Sequence, residues 1–251
     1  MLDALLKGPA AYVLRTGWPA WAVIPAAFGI MGLSLLAMLS VALGIHSLAG
    51  IPVSFTSETG VGLPLLFAVW QIFVILLTLQ AASLYASDRT EVLALRPPAQ
   101  GWRVLLLALV PLFLVTTAWT GTLLLVKPDA VLHDLRPFQG LLHGHAFWLM
   151  LIVIGVGAPL SEELLFRGFL FSGLAKSKLG FVGAGILSSL LWTLLHFGYS
   201  VFGLIEVLGI GLYFSWLLVR TGSLWVTMFC HAVYNSVMAL GLYFVTLPPG
   251  G

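Results

Sequence analysis

Stretches without a single Asp, Glu, Lys or Arg fill most of the chain: 16–57, 59–87, 104–126, 137–161, 179–205, 207–219 and 221–251. A helix needs ~20 apolar residues to cross the hydrocarbon layer of a bilayer, and in lipid the backbone must satisfy its own polar groups. These windows predict helices near 19–45, 62–86, 103–126, 146–174, 180–197, 203–219 and 223–246. That is about seven transmembrane helices, with a range of six to eight. The first window is long enough to hold a re-entrant piece around "IPVSF" (51–55). No soluble domain, low-complexity tract or repeat interrupts the pattern. The expected fold is all-α, a polytopic membrane bundle forming one transmembrane domain over 1–251.

Composition agrees with lipid as the solvent. Hydrophobic residues make up 60% of the chain and charged residues 8%, against roughly a quarter charged in soluble domains. Mean hydropathy is +1.08. The net charge of +2 comes from scattered basic residues, so no nucleic-acid partner is expected. The single cysteine, Cys230, excludes an internal disulfide and leaves redox compartment undecided. The N-terminal stretch lacks the order of a cleaved signal peptide, and its first apolar run reads as a retained span. On the expected topology, Lys7, Arg15, Arg89, Arg96, Arg103, Lys176, Lys178 and Arg220 share one side, and Lys127 and Arg136 the other. Cytoplasmic loops carry the excess of Lys and Arg. The expectation is an integral protein of the cytoplasmic (inner) membrane, with its N-terminus inside and its C-terminus outside.

Ionisable and amide groups inside spans are costly, and each raises a functional question. The candidates are Glu162, Glu163, Arg167, His196, Glu206, His231 and Asn235. Glu163 and Arg167 stand at i and i+4, on one helix face, where they can pair. Glu162 is five residues from Arg167 and looks elsewhere, toward Phe166 and Phe169. Both glutamates facing cytoplasmic water near a helix end is the plainer alternative. His231 and Asn235 are also i and i+4; they either line a wet cavity or bond each other between helices. His196 lies one turn beyond Trp192, where an interfacial role competes with a chemical one. At ~1.5 Å per residue from the expected cytoplasmic ends, Glu162 lies ~18 Å deep, His196 ~24 Å, and His231 and Asn235 ~14–20 Å. One layer could hold all four. A carboxylate and an imidazole can activate water, while a second imidazole and an amide can donate to a developing oxyanion. That set is suited to hydrolysing an amide without a serine or cysteine nucleophile.

Three short motifs carry a resemblance. "EELLFR" fits E-E-x-x-x-R, "WTLLH" fits F-x-x-x-H with Trp192 in place of Phe, and "HAVYN" fits H-x-x-x-N. In this order on hydrophobic helices they resemble the CPBP family of intramembrane peptidases, named for CAAX proteases and bacteriocin-processing enzymes, which includes the type II CAAX prenyl endopeptidase. The likeness covers roughly 146–240. It implies a catalytic core at about 146–246, preceded by three accessory spans over 19–126. It implies that Glu162 and His196 activate the water and that His231 and Asn235 form the oxyanion site. Glu163 and Arg167 would be a structural ion pair, and Trp192 and Phe166 would shape the pocket. The expected enzyme is a glutamate-type endopeptidase without cofactor. Its partners would be the lipid bilayer and a membrane-associated protein or peptide, such as a prenylated protein, a leader or a C-terminal segment. Zinc held by Glu162, His196 and His231 is the alternative, although an H-E-x-x-H spacing is absent. The rival class is a non-enzymatic scaffold or proton-coupled transporter.

Four further features complete the reading. Cys230 is expected to be a buried small residue, since its neighbour His231 points away around the helix. Glu206 is expected to snorkel to the exterior interface, with a role in a substrate channel as the alternative. Pro159 removes a helical hydrogen bond just before Glu162. His143 and His145 of "LHGHAF" fall in or beside an exterior loop.

Overall fold

The computed structural model describes residues 2–49, 62–85, 88–143 and 146–248. The segment proposed as re-entrant (51–55) and His145 lie outside the described residues. Every regular element described is helical: α1 (Leu2–Lys7), α2 (Ala20–Ala49), α3 (Gly62–Ser83), α4 (Arg89–Val92), α5 (Val104–Val126), α6 (Pro128–Leu142), α7 (Phe147–Ala175), α8 (Gly180–Leu194), α9 (Val201–Thr221) and α10 (Leu224–Phe244). Six of them, α2, α3, α5, α7, α9 and α10, are long and apolar enough to cross a membrane. The protein is a polytopic all-α membrane bundle. Trp21, Leu36, Leu125 and Trp148 are exposed on its outside, as residues in contact with lipid should be.

Two elements depart from the apolar windows. The helix expected at 180–197 stops at Leu194, and Ser200 opens α9 two residues earlier than expected. Its backbone is extended (φ −59°, ψ 159°), and its hydroxyl accepts from the Gly203 N–H, a side-chain cap of the first turn. Between these helices the chain turns at His196–Tyr199, whose backbone closes through Tyr199 N–H to His196 O at 2.8 Å. The second departure is α6, in a stretch for which hydropathy predicted no helix. Pro128 starts it and Asp129 lies in its first turn, both favourable at a helix N-terminus. Val131, Leu135, Phe138 and Leu142 fall on one stripe, so α6 is amphipathic rather than membrane-spanning.

The chain ends of the helices sort onto two faces. On one face the N-terminal segment, the 88–103 segment and the α9–α10 turn interlock. Ala11 and Tyr12 both donate backbone N–H to Val219 O, and Leu224 N–H reaches Ala94 O. Arg220 Nε donates to Leu5 O and Arg96 Nε to Gly222 O. Gly222 sits at φ +64° as the left-handed cap of α9, a conformation that a side chain disfavours. On the opposite face α6 meets the turn before α9 and the C-terminal stretch, where Gln139 Nε2 donates to Val245 O at 2.8 Å. The larger core, around Phe169, Phe171, Phe214 and Leu217, fills the bundle toward the first face. A smaller one, with Leu142, Phe147, Met150 and Leu242, lies against α6.

Candidate active site

Helix α7 is wound irregularly where it carries the paired glutamates. Val153–Gly157 and Glu163–Leu170 are π-helical, with a short α-helical piece, Ala158–Glu162, between them. Pro159 has no N–H to give to the carbonyls four or five residues back, those of Gly155 and Ile154. Both are met from α10 instead. Asn235 Nδ2 donates to Ile154 O at 3.1 Å and Ser236 Oγ approaches Gly155 O at 3.5 Å. From α3, Gln71 Nε2 donates to Val153 O at 3.1 Å. A Cβ at Gly155 would strike Ser236, and one at Gly157 would strike Gln71. Only glycine lets α3 and α10 approach closely enough to satisfy this stretch.

The two glutamates diverge. Glu163 and Arg167 are both fully buried, with Arg167 Nη1 donating to Glu163 Oε1 at 3.1 Å. The Arg167 guanidinium lies 4.2 Å from the Trp192 ring centroid. The same Glu163 oxygen is also 3.1 Å from His231 Nδ1, so Glu163 ties α7 to α10 as well as pairing within its own helix. A carboxylate at Nδ1 fixes which ring nitrogen carries hydrogen: Nδ1–H faces Glu163. His231 Nε2 then points toward Glu162, 4.0 Å from its Oε2. Glu162 is 16% exposed at its side chain, and its Oε2 accepts from the Trp192 indole N–H at 2.6 Å.

Glu162, Trp192, His196, His231 and Asn235 line one cavity of about 420 Å³. His196 Nδ1 lies 3.2 Å from Trp192 O. That bond orients the ring, with Nδ1–H donating and Nε2 carrying a lone pair. Asn235 spends one amide N–H on Ile154 and has a second. Glu163 and Arg167 stand behind the cavity wall. Phe166 lies outside the cavity, buried beside Ile24 of α2 and Leu191 of α8.

Several lining residues escaped the sequence reading. Glu206 was expected to snorkel outward, and the structure corrects this. It is half-buried and faces the cavity, with the Tyr234 hydroxyl donating to it at 3.1 Å and Thr120 Oγ1 3.5 Å away. The cause is the earlier start of α9, together with the cover that α6 provides. A signal was present: Glu206 falls on the Gly203–Val207–Ile210 stripe that α9 buries. Asp134 of α6 accepts from Ser200 N–H at 2.6 Å and Ser200 Oγ at 2.7 Å. Tyr199 sits between these groups. Burial first, and then the carboxylates of Glu162, Asp134 and Glu206, push its phenol above the usual range. Cys230 is buried and unpaired with sulfur.

The helices that supply this cavity belong mainly to the C-terminal part of the chain. Residues 144–237 match the family described as Type II CAAX prenyl endopeptidase Rce1-like. The matched segment contains Glu162, Glu163, Arg167, Trp192, His196, His231 and Asn235. A protein of Bacillus subtilis (strain 168) named "Putative membrane peptidase YdiL" is 32% identical over 92 residues, which cover 37% of this chain and 36% of that protein. "UPF0177 protein YxdF" of Lactococcus lactis subsp. lactis (strain IL1403) is 29% identical over 101 residues, 38% of this chain and 54% of that one. The chain thus spans about a third and about half of the lengths of these curated relatives. No solved structure matches.

Proposed function

We propose that the protein is an intramembrane endopeptidase that hydrolyses a peptide bond of a membrane-associated protein or peptide with a water activated by Glu162 and His196. The observation that carries this reading is the shared cavity. It brings a carboxylate, two imidazoles and an amide from α7, α10 and the turn after α8 into one recess whose remaining lining is mostly apolar. The Rce1-like match and the name of the Bacillus relative support the same reaction class.

The chemistry follows from the atoms present. A water held by Glu162 and His196 Nε2 gives a proton to the Glu162 carboxylate as its oxygen attacks the scissile carbonyl carbon. The second amide N–H of Asn235 donates to the resulting oxyanion. A His231 that takes a proton from solvent before the attack also donates to the oxyanion from Nε2, its Nδ1–H being held by Glu163. Glu162, now an acid, returns the proton to the leaving amine as the C–N bond breaks. Trp192 holds the carboxylate in place through its N–H. Apolar walls, including Phe67, Phe138 and Leu142, suit a hydrophobic segment of substrate, a prenyl chain among the options. Zinc on Glu162, His196 and His231 is the less favoured arrangement. Among the described residues no three His, Cys, Asp or Glu side chains converge as metal ligands do.

The test compares peptide termini across the membrane proteome of cells carrying the protein and cells carrying Glu162→Gln. Termini that vanish with the variant, and persist in membranes treated with a strong chelator, are the expected result. Identical termini in both strains would fit a scaffold or transporter and sink the peptidase reading. Loss with chelator and recovery with stoichiometric zinc would overturn the metal-free mechanism.

A further inference from the structure

The basic residues and the cavity lie on opposite faces of the bundle. Interlocking hydrogen bonds place the N-terminal segment, the 88–103 segment and the α9–α10 turn together. Gln100 Nε2 donates to Arg220 O in the same group. The end of α7 joins them through Lys176 Nζ and Gly17 O, 3.5 Å apart, and the start of α8 through the edge-on contact of Tyr12 with Phe181 at 5.6 Å. This face therefore gathers Lys7, Arg15, Arg89, Arg96, Arg103, Lys176, Lys178 and Arg220. The other face holds α6, the His196–Ser200 turn and the C-terminal stretch, with Lys127 and Arg136 as its basic residues.

The cavity belongs to the second face. Its walls use the first halves of α3, α7 and α9, the last part of α5, the turn after α8, and α10 from His231 onward. Each of those parts lies toward α6. Toward the basic face, the bundle is filled by the larger core and by the fully buried Arg167, Phe169 and Phe214. The shortness of α8 makes the recess: with 15 residues it reaches only ~22 Å, and the turn that follows it forms part of the wall.

Lys and Arg mark the cytoplasmic side. We infer that the cavity opens to the non-cytoplasmic side of the membrane, and that its substrate is a peptide segment presented there, such as the exported flank of a leader, propeptide or sorting segment. A cytoplasmic tail would have to pass the filled core to reach Glu162. The inference rests on the peptidase reading for its substrate and on geometry alone for its direction.

Two measurements separate these parts. Cysteine is introduced singly at Met238, an exposed residue of the cavity wall, at His133 on α6, and at Lys178 on the basic face. The native Cys230 is buried and serves as the unlabelled background. A membrane-impermeant maleimide added to intact spheroplasts of expressing bacteria should label M238C and H133C but not K178C. Inverted vesicles should show the reverse. M238C labelled only in inverted vesicles, or from neither side, overturns the inference whatever the protein's activity. Peptide termini that depend on Glu162 should then map to non-cytoplasmic segments. Cytoplasmic ones would overturn the substrate assignment while leaving the peptidase reading intact. No Glu162-dependent termini would remove the substrate assignment along with that reading, and the labelling would still decide the direction of opening.

Discussion

Glu162 and Glu163 differ by one position and by everything around them. Glu163 has no exposed surface and shares one oxygen between Arg167 and His231. Glu162 meets a tryptophan N–H and open space in the cavity. Their expected behaviour on substitution differs accordingly. Glu162→Gln keeps shape and hydrogen-bonding capacity but removes the base, so cleavage should fall ~10²–10⁴-fold with the melting temperature in detergent nearly unchanged. Glu163→Gln leaves the Arg167 charge in a closed site, and breaking a buried pair costs ~3–5 kcal/mol, so the protein should accumulate poorly. Adding Arg167→Met removes the stranded charge and should restore part of the protein level. Expression, thermal stability and peptide termini for the three variants check this. A fully stable Glu163→Gln, or a double variant no better than the single, would refute the role of the pair. The i, i+4 spacing of Glu163 and Arg167 was visible in the sequence, and the structure holds them in contact. The link from Glu163 to His231, 68 positions on, was not, because no local spacing encodes which helix packs against which.

At the level of elements, the long spans were legible because a charge-free run of about twenty residues has few other uses. The winding of α7 was only half legible. Pro159 announced a missing hydrogen bond, but the side chains that answer the first π-helical stretch come from α3 and α10, far away in sequence. Asn235 shows why this matters. Its motif position suggests an oxyanion donor, yet one of its N–H groups serves Ile154 O. The two roles can be separated. Asn235→Ala should lower stability by about 1–3 kcal/mol through an unsatisfied buried carbonyl and should also cut cleavage. Pro159→Ala returns an N–H to α7. In the double variant the missing donor is supplied from within the helix, so stability should recover toward that of Pro159→Ala alone. Cleavage should stay low, by ~10²–10³-fold if an oxyanion donor has been lost. Recovery of both properties would make Asn235 purely structural, and the check is a double-mutant cycle read in thermal stability and in cleavage.

For the whole molecule, the least legible element is the one that closes the site. Hydropathy passes over α6 because an amphipathic helix of 15 residues is neither apolar enough nor long enough to register as a span. Yet α6 roofs the cavity with Leu135 and Phe138 and anchors it through Asp134. Both carboxylate oxygens of Asp134 are engaged by Ser200, one by the backbone N–H and one by the hydroxyl. Ser200 itself caps α9, the helix that carries Glu206. One contact thus couples the roof, the turn bearing His196 and Tyr199, and the opposite wall. Asp134→Ala should release α6 without touching the groups assigned to water activation. Each hydrogen bond to a charged group is worth about 1.5–3 kcal/mol, and two are lost, so the variant should lose about 3–6 kcal/mol of stability. Its M238C derivative should react faster with the impermeant maleimide as the roof loosens. Asp134→Asn retains an acceptor for the Ser200 N–H and should fall between the two. If Asp134→Ala leaves both melting temperature and labelling rate unchanged, α6 is held by its apolar stripe alone, and the access route must lie elsewhere than beneath it.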